Sequence, residues 1–182
     1  QAKNEWVTFF DADERIPKAL IFEMLDEIEK DEADAFFVYR RFFFMDKYVK
    51  YSGWQNDKVI RLFKKSKNRY GEGRLVHELI DSKGSVKHLQ NRLDHYSYNS
   101  VEEYDRKLTQ YSHLRARELH AKGLKPNVFH FWVKPWYRFM HHYIMRLGIL
   151  DGNEGYIISK LHAHSVFKRY LFLSKMREND KK

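Results

Sequence analysis

Two rhythms of apolar and polar positions divide this chain. Trp6-Val7-Thr8-Phe9-Phe10 is a β-branched and aromatic run, apolar on both sides. That pattern predicts a strand in the middle of a mainly parallel sheet. Asp11-Ala12-Asp13-Glu14-Arg15 follows as a polar turn, and Pro17 stands where a helix starts. Leu20, Ile21, Met24, Leu25 and Ile28 then recur at helical spacing, with acidic residues between them facing water. Strand, acidic turn and helix make one unit of an open α/β sheet. Such sheets bind ligands at the carboxyl ends of their strands, which is where Asp11 and Asp13 stand.

The strand rhythm continues to about residue 98. Ala35 to Phe44 is a second, aromatic-rich strand, and Tyr48 to Trp54 runs on extended past Gly53. Asp57 to Lys64 alternates, with Val59, Arg61 and Phe63 on one side. After a basic loop and the Gly71-Glu72-Gly73 turn, Leu75 to Ile80 reads as a short strand carrying His77 and Glu78 in an apolar frame. Leu93 to Tyr98 is the last strand.

From Ser100 the helical rhythm takes over. Ser100-Val101-Glu102-Glu103 fits a capping box, and its helix runs to about Ala121 with Tyr104, Leu108, Tyr111 and Leu114 as the apolar side. A second helix is expected to begin near Pro135, with Trp136, Phe139, Met140, Tyr143, Ile144 and Leu147 on its apolar face and Lys134, Arg138, His141 and His142 opposite. A third spans about Gly152 to Ser174. The boundary expected near Asn99-Ser100 separates a sheet region, 1–99, from a basic amphipathic helical region, 100–182.

Charge follows the same division. Residues 1–100 carry 18 basic and 17 acidic side chains, whereas residues 101–182 carry 16 and 8. One half is balanced and the other cationic, which calls for an anionic partner: nucleic acid, a membrane surface or another polyanion. The absence of cysteine excludes a disulfide framework and thiolate metal sites. No apolar run reaches the ~18–20 residues a membrane span needs. The chain opens on Gln1 and enters an apolar run at once, so a piece of a longer protein is expected.

Asp-x-Asp after a buried strand suits a hard divalent cation, because two carboxylates converge on the ion and leave positions open for phosphate oxygens. The competing reading is a cap for the Pro17 helix, since Asp pairs are common in turns.

Residues 5–14, Glu-Trp-Val-Thr-Phe-Phe-Asp-Ala-Asp-Glu, resemble the Asp-x-Asp strand of family 2 glycosyltransferases, which have the GT-A fold. Gly53-Trp54, Arg61-Leu62-Phe63, Val76-His77-Glu78, Leu93-x-His95-x-x-Tyr98 and Gly148-x-Leu150-Asp151-Gly152-x-x-Gly155-Tyr156 follow in the order of a bacterial branch. That branch is similar to the lipopolysaccharide-core glucosyltransferases of the β-1,4 type. The resemblance implies an α/β, GT-A-type mixed sheet followed by a helical region. It also implies nucleotide-binding units ahead of Gln1, roughly 60–90 residues at ~30 per βαβ unit.

The same resemblance implies transfer of a sugar from a nucleotide-sugar to a lipid-linked or cell-surface glycan acceptor. It implies Mg²⁺ or Mn²⁺ on Asp13 and Asp11, with His95 as a third ligand or simply hydrogen-bonded, and Asp11 alternatively on the ribose. Glu78 is the favoured general base and His77 its rival, since alternation puts them on opposite sides of a strand. Arg61 is expected on a phosphate or acceptor anion, or in a surface salt bridge. Trp54 is expected to stack on a sugar ring or to pack in the core.

The Trp- and Tyr-bearing basic helices suit the inner face of the cytoplasmic membrane, or else pack on the sheet with solvated charges. That gives a cytoplasmic, peripheral enzyme. The competing classes are a basic nucleic-acid-binding module, which Asp-x-Asp at a strand end and the absence of a recognisable binding motif argue against, and a metal-dependent phosphohydrolase.

Overall fold

The computed structural model describes residues 3–70, 80–82 and 84–180. His77 and Glu78 lie outside the described residues. The chain forms two compact units that interleave in sequence: residues 1–42 with 56–97, and residues 43–55 with 98–182. The segment 43–55, strand-like by its pattern, thus belongs with the helices.

The first unit is an α/β fold. Its strands are β1 (Trp6–Thr8), β2 (Glu14–Arg15), β3 (Ala35–Phe44), β5 (Lys58–Lys64), β8 (Val86–His88) and β9 (Leu93–Tyr98), with helix α1 (Lys18–Lys30) between β2 and β3. β4 (Lys47–Val49) forms a hairpin with the end of β3. β6 (Asn68–Tyr70) and β7 (Ile80–Ser82) pair separately. The main sheet runs β1-β5-β3-β9-β2, with β8 parallel to the start of β3.

This is a mixed sheet, but β1 is at its edge and antiparallel to β5, where the sequence pattern predicted a central parallel strand. The apolar residues on both sides of β1 have other uses. Trp6 packs on Phe36, 6.0 Å between ring centroids, and Phe9 lies under the Arg61 guanidinium, 4.7 Å from its centroid.

Helix α1 starts after Pro17, as predicted. Leu20 and Met24 enter the core with Ala33, Phe36, Val38, Leu62, Leu89 and Leu93, and Ile28 packs against them. Ile21 and Leu25 are exposed, so the buried stripe is one row narrower than the periodicity suggested. Along β3, Phe36, Val38, Phe42 and Phe44 are buried at alternate positions. The period of two therefore puts Arg40 on the inward face and Arg41 on the other.

In the second unit, α4 (Gly152–Asn179) packs against α2 (Val101–Ala121) and α3 (Val128–Met140). The Ser100 hydroxyl caps α2 by accepting from the Glu103 amide at 3.1 Å. The α2 face that is buried carries Tyr104, Ser112 and Ala116, while Tyr111 and Leu114 are exposed, against the sequence expectation. Small residues win because they let α4 approach: the Ser112 hydroxyl bonds the Ser165 carbonyl at 2.8 Å.

Helix α3 begins at Val128 and holds Pro135 inside it, rather than starting there. Asn127 and His130 cap it reciprocally, a signal stronger than the proline. A π-helical turn (His141–Met145) and a 3₁₀ turn (Gly148–Asp151) join α3 to α4.

Asp151 ties 43–55 to this unit. Its carboxylate accepts from the Lys50 and Tyr51 amides and, at 2.7 Å, from the Ser52 hydroxyl. Gly148 and Gly155 make the crossing there. A Cβ on Gly155 would lie 1.8 Å from the Gly148 carbonyl oxygen, so a side chain has no room. This accounts physically for the spacing Gly148-x-x-Asp151-x-x-x-Gly155.

Candidate functional site

The acidic turn after β1 is built from its backbone outward. The Glu14 amide donates to the Asp11 carbonyl at 3.0 Å, closing a four-residue turn. The Glu14 carboxylate accepts from the Asp11 amide at 3.1 Å. Strand β2 then pairs antiparallel with β9, Glu14 opposite His95, and the Tyr96 amide donates to the Asp13 carbonyl at 2.8 Å. This pairing brings residue 95 beside residue 13 across 82 positions of sequence: His95 Nε2 stands 3.2 Å from the Asp13 carboxylate.

Beneath the turn lies an ion network. The Glu14 side chain is fully buried and accepts from Arg61 at 2.7 Å and from Arg40 at 3.4 Å. Arg61 also pairs with Asp11. Arg40 reaches Asp57 with two parallel bonds, 2.9 and 3.0 Å, the fork geometry a guanidinium offers a carboxylate. On the opposite face Arg41 pairs with Asp94. Burying charge is costly unless it is matched, and here each buried cation meets a carboxylate.

The network holds the turn while leaving its acids accessible: the Asp11 and Asp13 side chains are 56% and 45% exposed. Burial, then the Arg40 charge, pushes the His95 imidazole below its ordinary value of 6.5. The ring is thus neutral at pH 7, a donor to Asp13 through Nε2–H or a ligand through its lone pair.

The structure therefore brings Asp11, Asp13, Arg61 and His95 together. Arg61 is neither on the surface nor free for a ligand; it is only 7% exposed and is shared between two carboxylates. Trp54 belongs to the helical unit, where it lines a cavity with Arg138 and His142. Sequence reasoning missed Glu14, Arg40 and Asp57. The available signal was a pair of arginines inside an aromatic strand, one of which must face inward.

Among the described residues, no three carboxylate, imidazole or thiol groups gather at metal-ligating spacing. Asp13 and His95 are adjacent, while Asp11 is engaged by Arg61. One carboxylate and one neutral imidazole fit a hard divalent cation that takes its other positions from water and phosphate oxygens.

For the second helix of the helical unit, the sequence left the aromatic side either on a lipid surface or packed on the sheet, with the charges opposite it. The geometry divides that side: Trp136, Ile144 and Leu147 are exposed, whereas Phe139 and Tyr143 pack on Tyr156. Arg138, His141 and His142 line the cavity with Ser52, Gly53 and Trp54. Trp132 and Trp136 are 74% and 65% exposed, with Phe129, Val133, Tyr137, Ile144 and Leu147 exposed as well. No described helix is long and apolar enough to cross a membrane.

Comparison with known proteins supplies a family for the chain. The family model described as glycosyl transferase family 2 matches residues 1–124. An uncharacterized glycosyltransferase of Rickettsia conorii is 25% identical over 198 residues, which cover 98% of this chain and 66% of its own. One from Rickettsia typhi is 26% identical over 194 residues, covering 96% and 63%. The lipopolysaccharide core biosynthesis glycosyltransferase LpsC of Rhizobium meliloti is 25% identical over 190 residues, covering 99% and 70%. The chain thus spans about two thirds of the length of these relatives. No solved structure matches it significantly.

Proposed function

The chain belongs to glycosyl transferase family 2, and from that premise we propose that its protein transfers a sugar from a nucleotide-sugar to a lipopolysaccharide-core or other lipid-linked glycan acceptor. The observation that carries this reading is the exposed Asp13 carboxylate, paired with His95 on a turn braced by buried Glu14 and Arg61. The lipopolysaccharide core role in the printed name of LpsC supports the acceptor class.

The transfer is inverting. The acceptor hydroxyl oxygen bonds to the anomeric carbon as the bond from that carbon to the diphosphate breaks. The electron pair leaves with the nucleoside diphosphate, and the hydroxyl proton passes to a general base. Glu78 fills that role, with His77 the alternative; both readings rest on the Val76-His77-Glu78 motif. Asp13 and His95 would hold a divalent cation, Mg²⁺ or Mn²⁺, which neutralises developing charge on the leaving diphosphate when bound. Asp11, the second carboxylate of the turn, is held by Arg61 and would act as a further ligand or on the ribose.

The cytoplasmic face of the membrane is the proposed place of action. Helix α3 has no buried residue and turns Phe129, Trp132, Trp136 and Tyr137 outward in a unit with a large basic excess. Aromatic rings beside Lys and Arg are the composition of an interfacial helix on anionic lipid.

Replacing Asp13 by Ala in the whole protein tests the assignment. Metal-dependent turnover of nucleotide-sugar is expected to fall at least a hundredfold, with the thermal unfolding midpoint little changed. Turnover within a few-fold of the parent would overturn it.

A further inference from the structure

The cavity in the helical unit carries a charge that nothing in its walls balances. Its volume is about 250 Å³, and it is lined by Ser52, Gly53, Trp54, Arg138, His141, His142, Arg146 and His162. None of these is a carboxylate. Among the described residues neither Arg138 nor Arg146 forms an ion pair. The nearest acid in sequence, Asp151, is already committed to the Tyr51 amide and the Ser52 hydroxyl.

The three imidazoles do not add charge at neutral pH. Burial is the largest cause in each, and it holds His142 down to about 4 and His162 to about 3, with His141 also lowered. His142 and His162 stack face to face, 4.0 Å between centroids. The His142 Nδ1–H donates to the Ser52 carbonyl at 3.0 Å, so its Nε2 keeps a lone pair that can take a proton. Arg146 Nε donates to His141 Nε2 at 3.3 Å, which puts the His141 proton on Nδ1. That nitrogen is buried and has no hydrogen-bond partner, and a buried donor without an acceptor costs free energy.

The backbone makes room at the same place. Gly53 sits at φ 101°, a conformation that favours glycine, and a Cβ there would stand 3.6 Å from His142 and 3.7 Å from an Arg146 terminal nitrogen. The turn that carries His141 and His142 is π-helical, a form frequent at functional sites.

The geometry points to a binding site for a phosphate-class dianion, held between the Arg138 and Arg146 guanidiniums. Two permanent positive charges match two negative ones, where a carboxylate supplies only one. Each guanidinium can donate two parallel bonds to phosphate oxygens. An anion beside His142 would raise its affinity for a proton. The site lies wholly within the helical unit and does not rest on the role given to Asp13.

The dianion has two available sources, a soluble phosphate compound or the phosphomonoester headgroup of a lipid. Titration calorimetry of the whole protein with inorganic phosphate, at constant ionic strength set by chloride, tests the site itself. Saturable binding is expected, weakened at least tenfold in Arg138→Gln and in Arg146→Gln, and unchanged in Asp13→Ala. Absence of saturation, or equal affinity in the parent and the Arg138→Gln/Arg146→Gln double variant, would overturn it. Urea unfolding of each variant separates loss of the site from loss of the fold.

Two further arms assign the source. Competition by a nucleoside diphosphate that disappears in the arginine variants identifies a soluble ligand. Arginine-dependent binding to phosphatidic acid vesicles, absent on phosphatidylcholine, identifies a lipid one. Loss of turnover in Asp13→Ala with phosphate binding intact would show the two sites to be separate.

Discussion

The two units each build a cluster of ionisable groups, and the two clusters are balanced differently. In the sheet unit, Glu14, Arg40, Arg61 and Asp57 compensate one another, and Arg41 has Asp94. The helical unit has matched pairs too, buried Glu154 with Lys47 and Asp105 with Lys168, but its cavity is lined by neutral imidazoles and by two arginines without acids, Arg138 half-buried and Arg146 exposed. Both units expose large apolar residues, Ile21, Phe22 and Leu25 on α1 and the tryptophans on α3, but of these two helices only α3 has no buried residue at all. A matched network fixes a shape; an unmatched one waits for a ligand.

The sharpest test of this contrast is a pair of substitutions. Glu14→Gln leaves two buried guanidiniums short of a counter-charge, and breaking such a network costs about 3–5 kcal/mol. Arg138→Gln removes a cation with no partner and is expected to leave stability within about 0.5 kcal/mol or to raise it. Urea denaturation of both variants reads the difference, and similar losses would erase the distinction.

Acid titration separates the units next. His142 and His162 have folded values below their ordinary 6.5. The unfolded chain therefore binds protons first as pH falls. Their contribution to stability is complete above about pH 6.5 and is lost as pH drops from there toward 4, at up to about 1.4 kcal/mol per pH unit for each proton. His95 acts in the same direction in the sheet unit, where it is the one histidine among the described residues with a lowered value. Amide protection factors, which remove the intrinsic pH dependence of exchange, are thus expected to fall in α2 and α4 before β3 between pH 6.5 and 5. His142→Gln should flatten that dependence; an unaltered pH profile would argue against it.

The smallest expected change in stability is at the outward aromatic face. Trp136→Ser is expected to shift unfolding by no more than about 0.5 kcal/mol. Binding to anionic vesicles should nonetheless fall several-fold in a sedimentation assay. Unchanged binding would confine α3 to a solvated role.

Much of the first unit could be read from pattern because its burial follows period two and period 3.6 closely. Pro17, Leu20, Met24 and the β3 alternation behave as local rules require. The β1 position could not be read, because apolar residues on both faces signal burial and not the identity of the neighbouring strand. Helix α2 and the start and buried face of α4 were legible, whereas the start of α3 at Val128 and the buried face of α2 were not. Periodicity finds an apolar stripe, yet Ser112, Ala116 and Gly155 show that close approach chose the small residues instead. Likewise the aromatic stripe of α3 was legible, but not that Arg138, His141 and His142 line a cavity. Asp13 beside His95 was legible only as a likeness; the contact depends on β2–β9 pairing, which no local signal specifies.

The bonds from Asp151 to residues 50–52 also have a meaning in time. Acceptor and donor are separated by 100 positions at Tyr51. A ribosome adding about 5–20 residues per second exposes the 43–55 segment for roughly 5–20 seconds before its anchor exists. In that interval the Lys50 and Tyr51 amides and the Ser52 hydroxyl have only water or a chaperone to bond. The helical unit closes last, around a segment synthesised long before it.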